Sequence, residues 1–157
     1  MIYFAQLGDG GPIKIGYVGG PNELRLRIPT LEHKYRVTVN LLRTAEGDKR
    51  TERALHRRFD DLALGGELFT PAADLCALTG GDCPYDVDFA RQGGQDAVVP
   101  MARYSNMHPA QIAELTGCRQ SHVEFLNNGW SPPAGWHPPT RKAKPGRGSD
   151  PDSPQVK

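Results

Sequence analysis

The chain has 157 residues, a formal net charge of only +1 and 24% charged residues. This length fits one domain, or one small domain with an appendage. The near-neutral balance excludes the overall basic field typical of many nucleic-acid binders, so the distribution of charge matters more. Three cysteines, Cys76, Cys83 and Cys118, form no C-x-x-C pair. They fit neither a disulfide framework nor a zinc ribbon and favour a reducing compartment.

The chain shows no targeting or membrane segment. Its first residues lack a basic region followed by an apolar one, the pattern of a secretory signal. No apolar run approaches the ~20 residues that a helix needs to span a bilayer. We therefore predict a cytoplasmic protein without membrane contact.

Two short apolar runs at the start predict an antiparallel β-hairpin. Residues 2–7 and 13–17 are rich in β-branched and aromatic side chains, and the glycine-rich segment 8–12 separates them. Because side chains alternate across a strand, Tyr3 and Lys14 are expected to share one surface of the hairpin. That pair is a candidate start of an active site. The plainer interpretation is a hairpin that exposes a tyrosine and a lysine.

A helix follows the hairpin. Leu24, Ile28 and Leu31 recur at helical spacing, and Asn22 is the predicted N-cap. Pro29 removes a backbone donor and crowds the carbonyl four residues back. The sequence therefore predicts a kink at Pro29, or a helix that ends and restarts there.

A third strand, predicted over 37–43, leads to a second helix, predicted from 49 to 61 with Asp48 as its cap. At about 100° per residue, Glu52 and His56 lie one turn apart beside the apolar stripe of this helix. Basic side chains continue round the same side. The apolar stripe is Leu55, Phe59 and Leu62, and the basic side chains are Lys49, Arg50, Arg53 and Arg57. A solvated basic surface is the simpler explanation, but a carboxylate at the edge of the core favours a site.

The remaining chain divides into short pieces. Residues 65–71 are predicted as a loop or short extended piece, and 72–78 as a short helix. The segment 80–94 is rich in glycine, aspartate and proline, as a linker would be. Residues 131–157 combine prolines, glycines and a basic cluster and are predicted to be disordered.

Residues 95–130 predict a small helix-turn-helix unit. Such a unit needs a small residue where two helices touch, a glycine at the turn and apolar residues at fixed offsets in the second helix. Ala113, Gly117, Val123 and Leu126 meet these needs, and the segment 96–105 is a candidate supporting helix. A plain helical hairpin is the alternative. The candidate DNA-reading residues at the start of the second helix are Arg119, Gln120, Ser121 and His122.

The order and spacing of five sequence blocks resemble the GIY-YIG nuclease superfamily. The blocks are Ile2-Tyr3-Phe4, Lys14-Ile15-Gly16, Arg27-Ile28-Pro29-Thr30-Leu31, Glu52 to Phe59, and Gly66-Glu67-Leu68-Phe69. They are most similar to a branch of small phage and bacterial proteins with a KIG second motif and an E-x-x-L-H-x-x-F helix. The resemblance covers residues 1–79. It implies an α+β fold, a three-stranded antiparallel sheet flanked by helices, to which the helix-turn-helix unit and the disordered tail are appended.

The resemblance also implies metal-assisted hydrolysis of a DNA phosphodiester. Tyr3 matches the tyrosine that helps to activate the attacking water, and Lys14 stands where most members have a second tyrosine. Arg27 matches the arginine that holds the phosphate, Glu52 the ligand of one divalent metal, and His56 the histidine of this branch. An arginine and a Mg²⁺-binding carboxylate suit phosphoryl transfer on general grounds. An ammonium near a phenol is expected to lower the pKa of that phenol.

Three functions remain open from the sequence. The first is a Mg²⁺-dependent endonuclease that acts on double-stranded DNA and needs no small-molecule cofactor. The second is a catalytically weak or inactive DNA-binding protein with the same fold, whose affinity would come from Arg25 and from the basic residues of the Glu52 helix. A protein-interaction adaptor is the third.

Overall fold

The computed structural model describes residues 1–127 and has an α+β fold. The strands are β1 (Ile2–Leu7), β2 (Ile13–Tyr17), β3 (Val39–Ala45), β4 (Ala63–Gly65) and β5 (Leu68–Phe69). The helices are α1 (Pro21–Tyr35), α2 (Lys49–Arg58), α3 (Ala73–Thr79), α4 (Val87–Gly93), α5 (Val98–Tyr104), α6 (Pro109–Thr116) and α7 (Gln120–Leu126), with 3-10 turns at Asp60–Leu62 and Gly94–Ala97. The predicted disordered tail, 131–157, and the end of the predicted unit 95–130 lie outside the described residues. No helix within the described part of the chain is long and apolar enough to cross a membrane.

The sheet is antiparallel, as predicted, but it has five strands rather than three, in the order β3-β1-β2-β5-β4. The two additional strands are only three and two residues long. They form a small hairpin whose second strand pairs Leu68 with Lys14 and Phe69 with Ile13. Strands this short carry no alternating pattern that a sequence could reveal.

Both faces of the sheet are covered, so β1 is buried along its whole length. On one face, α1 contributes Leu24 and Leu31 to a core shared with the alternate side chains of β1 that begin at Tyr3. On the other face, residues from α2 to α3 pack against Ile2, Phe4, Ile13 and Ile15. The predicted apolar stripe of α2 reaches this second core. Phe59 and Leu62 are fully buried there, and Leu55 packs against it.

Helix α1 runs without interruption through Pro29, so the helix does not end and restart there. Proline lacks the N–H that would bond the carbonyl of Arg25, but both residues are exposed, and water can take the place of that donor. The N-cap is Gly20 rather than Asn22, with Pro21 in the first turn.

Strand β3 begins two residues later than predicted. Helix α1 extends to Tyr35, and Arg36 ends it in a left-handed conformation with φ of 56°. The chain then needs residues 37 and 38 to turn back to the sheet, where Val39 pairs with Leu7. Helix α2 ends at Arg58, earlier than predicted, because the chain tightens into a 3-10 turn.

The segment 80–94, predicted to be a linker, contains helix α4 and is anchored to the sheet. The buried side chain of Gln6 donates to the carbonyls of Gly11 and Asp82 at 3.0 and 2.9 Å and accepts from the Asp82 N–H at 3.0 Å. A buried amide with three partners is costly to disrupt. Residues 80–86 are therefore fixed against the hairpin rather than free to swing.

Helices α4 to α7 build a separate apolar core around Met101, Ile112 and Val123. The predicted supporting helix, 96–105, corresponds to α5, in which Pro100 falls in the tolerated first turn. Helices α6 and α7 are joined by a short turn in which Gly117 has φ of 74°, a left-handed conformation that favours glycine. Their role as a DNA-binding helix-turn-helix stays a prediction.

Candidate functional site

Tyr3 projects from the face of the sheet that α1 covers. Its partner on β2 is Gly16, and a Cβ atom placed on Gly16 would lie 2.5 Å from the tyrosine ring. The ring therefore lies directly over the bare backbone of Gly16, with 1% of the residue exposed. Lys14, paired with Ala5, shares this face, as predicted, but it is buried as well. The two side chains do not form the exposed surface pair that the plainer interpretation expected.

Charged groups on α1, on α2 and in the β4–β5 turn act on the phenol of Tyr3. Burial raises its pKa above the usual range, and the nearby carboxylates of Glu67 and Glu52 add to that increase. The guanidinium of Arg27 on α1 opposes the increase through its positive charge and its interaction with the phenol, but does not cancel it. The expectation that an ammonium would lower this pKa is therefore wrong. The charge of Lys14 is engaged elsewhere, and Tyr3 stays protonated at neutral pH.

Lys14 forms an ion pair with Glu67, which lies in the β4–β5 turn. The Nζ atom of Lys14 lies 2.6 Å from Oε2 of Glu67 and also donates to the carbonyl of Gly66 at 3.4 Å. The lysine side chain is 6% exposed and that of the glutamate 50%. A buried ammonium needs such a counterion, because desolvation of an unpaired charge is costly.

Glu67 lies among more positive charges than Lys14 alone. Partial burial raises the pKa of its carboxyl group, but the hydrogen bond and charge of Lys14, with the charges of His56 and Arg27, outweigh burial and hold the pKa below the usual range. Its backbone has φ of 64°, uncommon for a residue with a side chain. Glu67 is therefore an ionised carboxylate held at a strained turn.

Helix α2 contacts β2 just beyond the point where the pairing of β2 with β5 ends. Strand β5 pairs only with Ile13 and Lys14, so the polar backbone groups of Ile15 find other partners. The N–H of Ile15 donates to the carbonyl of Glu67 at 3.2 Å. Nε2 of His56 lies 3.0 Å from the carbonyl of Ile15, and since a carbonyl only accepts, Nε2 is the protonated nitrogen. The His56 ring also contacts Phe69, at 5.2 Å between centroids.

Glu52 lies one turn before His56 and is half-buried. Asp48 fixes the start of the helix by accepting from the N–H groups of Thr51 and Arg50, and these hydrogen bonds lower its pKa. Within residues 1–127, the Glu52 carboxylate makes no ion pair and no hydrogen bond. It remains available to an external cation.

The donor set fits Mg²⁺ bound through one carboxylate, but not a metal enclosed by protein. Among the described residues, no group of three or more His, Cys, Asp or Glu side chains is arranged to hold a metal. Magnesium commonly keeps several waters and uses one or two carboxylates plus substrate phosphate oxygens. Glu52 supplies the one carboxylate that such a site requires. Glu67 does not supply a second one while its carboxylate is paired with Lys14.

The predicted DNA-binding residues are exposed on three separate helices. Arg25 lies on α1 together with the exposed Arg27. The exposed basic residues of α2 are Lys49, Arg50, Arg53 and Arg57. The exposed residues at the start of α7 are Arg119, Gln120, Ser121 and His122. Gln120 also bonds Glu124 within its own helix, at 2.7 Å. These four residues lie in the C-terminal helical region, α4 to α7, and not in the cluster around Tyr3.

Comparisons with known proteins returned no match. No family model matches the chain, and neither a curated protein nor a solved structure is similar enough to count as a relative.

Sequence reasoning missed the role of Glu67, although its block was recognised. The residue has no catalytic partner at a recognisable spacing. The signal that was available is the Gly65-Gly66 pair before it, which marks a tight turn. The pairing of that turn with Lys14 depends on the short strands β4 and β5 and is visible only in three dimensions.

Proposed function

We propose that the protein is a metal-dependent DNA endonuclease of the GIY-YIG type, which hydrolyses a phosphodiester of double-stranded DNA. The observation that supports the proposal is that a guanidinium from α1 and a carboxylate from α2 act on Tyr3 together with Glu67, which is itself paired with the Lys14 ammonium of β2. These groups come from distant parts of the chain. A purely structural role does not require them to meet beside one buried phenol.

Each group has a role that suits phosphodiester hydrolysis. Arg27 is exposed and binds the non-bridging phosphate oxygens, on which negative charge develops. Glu52 would hold Mg²⁺, which when bound would supply charge neutralisation at the phosphate. Tyr3 stays protonated and is buried, so it acts by positioning the exposed guanidinium of Arg27, which interacts with its phenol.

The proton of the attacking water needs an acceptor other than Tyr3. Nε2 of His56 donates to the carbonyl of Ile15, so a neutral imidazole keeps its lone pair on Nδ1. We assign the general base to His56 in place of Tyr3. The basic residues of α2 and Arg25 bind the DNA backbone, and α6 and α7 read the site as a helix-turn-helix.

The second candidate is a protein that binds DNA without cutting it. The specific observation in its favour is the Lys14–Glu67 ion pair, which neutralises one of the cations that a phosphate would need. The raised pKa of Tyr3 points the same way, because it removes the phenolate as a base. In that case the exposed basic residues alone would supply affinity.

A plasmid-nicking assay with Mg²⁺ separates these functions. We expect nicking by the wild-type protein and a loss of about 100-fold or more for Glu52→Gln and Arg27→Ala, the scale seen when one transition-state partner is removed. Asp9→Asn and Arg91→Ala are matched controls, because they make the same charge changes at exposed positions in the β1–β2 turn and on α4.

The outcomes are distinct. Nicking that persists in both site variants at the control level rules out the proposed roles. Intact plasmid with a retarded band on a gel indicates the binding protein. Intact plasmid without retardation contradicts both candidates and favours the protein-interaction adaptor.

A further inference from the structure

One carboxylate in the cluster has no place in the chemistry just described. Glu67 is negatively charged, yet it lies where a negatively charged phosphate would be expected to bind. Its Oε2 atom is 2.6 Å from the ammonium of Lys14, and the charges of His56 and Arg27 also act on it. Lys14, His56 and Arg27 are three of the cationic or proton-carrying groups of the proposed site.

We propose that Glu67 is an internal occupant of the phosphate site, which DNA must displace before a phosphate reaches Lys14. This inference rests on the proposed function, because it specifies how the same site is regulated. The ligand that competes with Glu67 is a phosphodiester of the DNA backbone. Both are anions with oxygen acceptors, and a lysine ammonium pairs with either.

Exposure supports the exchange of one anion for the other. The side chain of Lys14 is 6% exposed and lies below Glu67, whose side chain is 50% exposed. An incoming phosphate therefore meets the glutamate before it meets the lysine. Arg27 is exposed and offers the first contact without any rearrangement.

The backbone that carries Glu67 suits a movable occupant. Gly65, Gly66 and Glu67 have φ values of 92°, 61° and 64°, and a left-handed conformation is unfavourable for a residue with a Cβ atom. Two bonds hold the turn against β2: the Ile15 N–H donates to the Glu67 carbonyl, and Lys14 donates to the Gly66 carbonyl. Release of the side chain needs only a rotamer change, and release of the turn also relieves the strained φ.

The test is the affinity for a short labelled DNA duplex, measured by fluorescence anisotropy in EDTA so that no cleavage occurs. Glu67→Gln keeps the shape and an oxygen acceptor but removes the charge. We expect it to bind about three- to tenfold tighter than wild type, the scale of one charge near a protein surface. The dependence of log K on log salt should also steepen by up to ~0.9, because one more cation contacts phosphate.

Two controls isolate the route through Lys14. Asp9→Asn removes the same charge from an exposed position in the β1–β2 turn and should change affinity little. In a Lys14→Met background, Glu67→Gln should lose most of its gain, since no buried ammonium is left to release. If Glu67→Gln fails to fold, Glu67→Asn replaces it, because asparagine tolerates a positive φ.

Each result either supports or overturns the proposal that Glu67 occupies the phosphate site. Equal or weaker binding by Glu67→Gln overturns it, as does an undiminished gain in the Lys14→Met background. No DNA binding by any variant overturns it together with the proposed function. Wild-type protein that binds but never cuts, with a tighter Glu67→Gln variant, rejects the nuclease alone.

Discussion

Gly16 leaves the space that the ring of Tyr3 occupies, and Gly16→Ala tests that dependence. A Cβ atom on Gly16 would lie 2.5 Å from Cζ of Tyr3 and 2.6 Å from its Cε1 and hydroxyl oxygen. Ordinary contact begins at 3.4 Å, so the ring would have to withdraw by about 0.9 Å. Tyr3 is 1% exposed and its strand has neighbours on both sides, so there is little room for that movement.

The expected change in the free energy of unfolding for Gly16→Ala follows from two opposing effects. Overpacking of a closed core costs about 1–3 kcal/mol, and an enclosed aromatic ring belongs to the upper part of that range. Replacing a glycine within a strand recovers about 0.5–1 kcal/mol of backbone entropy. We expect a net loss of about 1–2 kcal/mol, which lowers the melting temperature by about 2–8 °C in a chain of this length.

Urea denaturation in two backgrounds measures this dependence. Against wild type, Gly16→Ala should lower the free energy of unfolding by the amount given above. Against Tyr3→Leu, which removes the ring, the same change should be neutral or slightly stabilising, because only the entropy gain remains. An equal loss of stability in the two backgrounds would refute the packing argument.

Two further predictions concern the region that joins the sheet to the C-terminal helices. Gln6→Leu removes three hydrogen bonds, two of which hold Asp82 in the segment 80–86, so we expect about 1–3 kcal/mol less stability and faster limited proteolysis within that segment; unchanged proteolysis would contradict the anchoring. Burial raises the pKa of Cys76 to about 12 from 9.0, so its contribution to stability is complete below pH 9 and is lost as the pH rises towards 12. Urea titrations between pH 8 and 10.5 should show a flatter decline in the free energy of unfolding for Cys76→Ala than for wild type or Cys118→Ala. Equal slopes would contradict the contribution of Cys76.

The sequence was sufficient where local chemistry decides the outcome. The hairpin followed from two apolar runs around a glycine-rich turn, and the start of α2 followed from Asp48, whose side chain accepts from two backbone N–H groups. The shared face of Tyr3 and Lys14 followed from the alternation of side chains along strands. These features depend on residues close in sequence or on one simple register.

The sequence failed where the outcome depends on what packs against an element. Pro29 predicted a kink or a helix that ends and restarts, but an exposed proline leaves its lost bond to water, and the helix does not end there. Residues 80–94 had the composition of a linker, but they contain α4, and Gln6, distant in the chain, binds Asp82 among them. The pKa of Tyr3 was expected to fall because Lys14 was considered without its counterion. Burial and two carboxylates raise it instead.

A lysine at position 14 requires something of the fold that a tyrosine there would not. A tyrosine phenol is neutral at pH 7 and can be buried without a counterion, whereas a buried ammonium needs one. Lys14 is buried in the sheet, so the fold must supply an anion at that point, and Glu67 does so from a turn on the neighbouring short hairpin. The same pairing that makes a buried lysine tolerable also withholds its charge from a substrate. The Glu67→Gln variant therefore has to be read beside the double variant with Lys14→Met, because a change to Glu67 alone leaves the buried ammonium of Lys14 without its counterion.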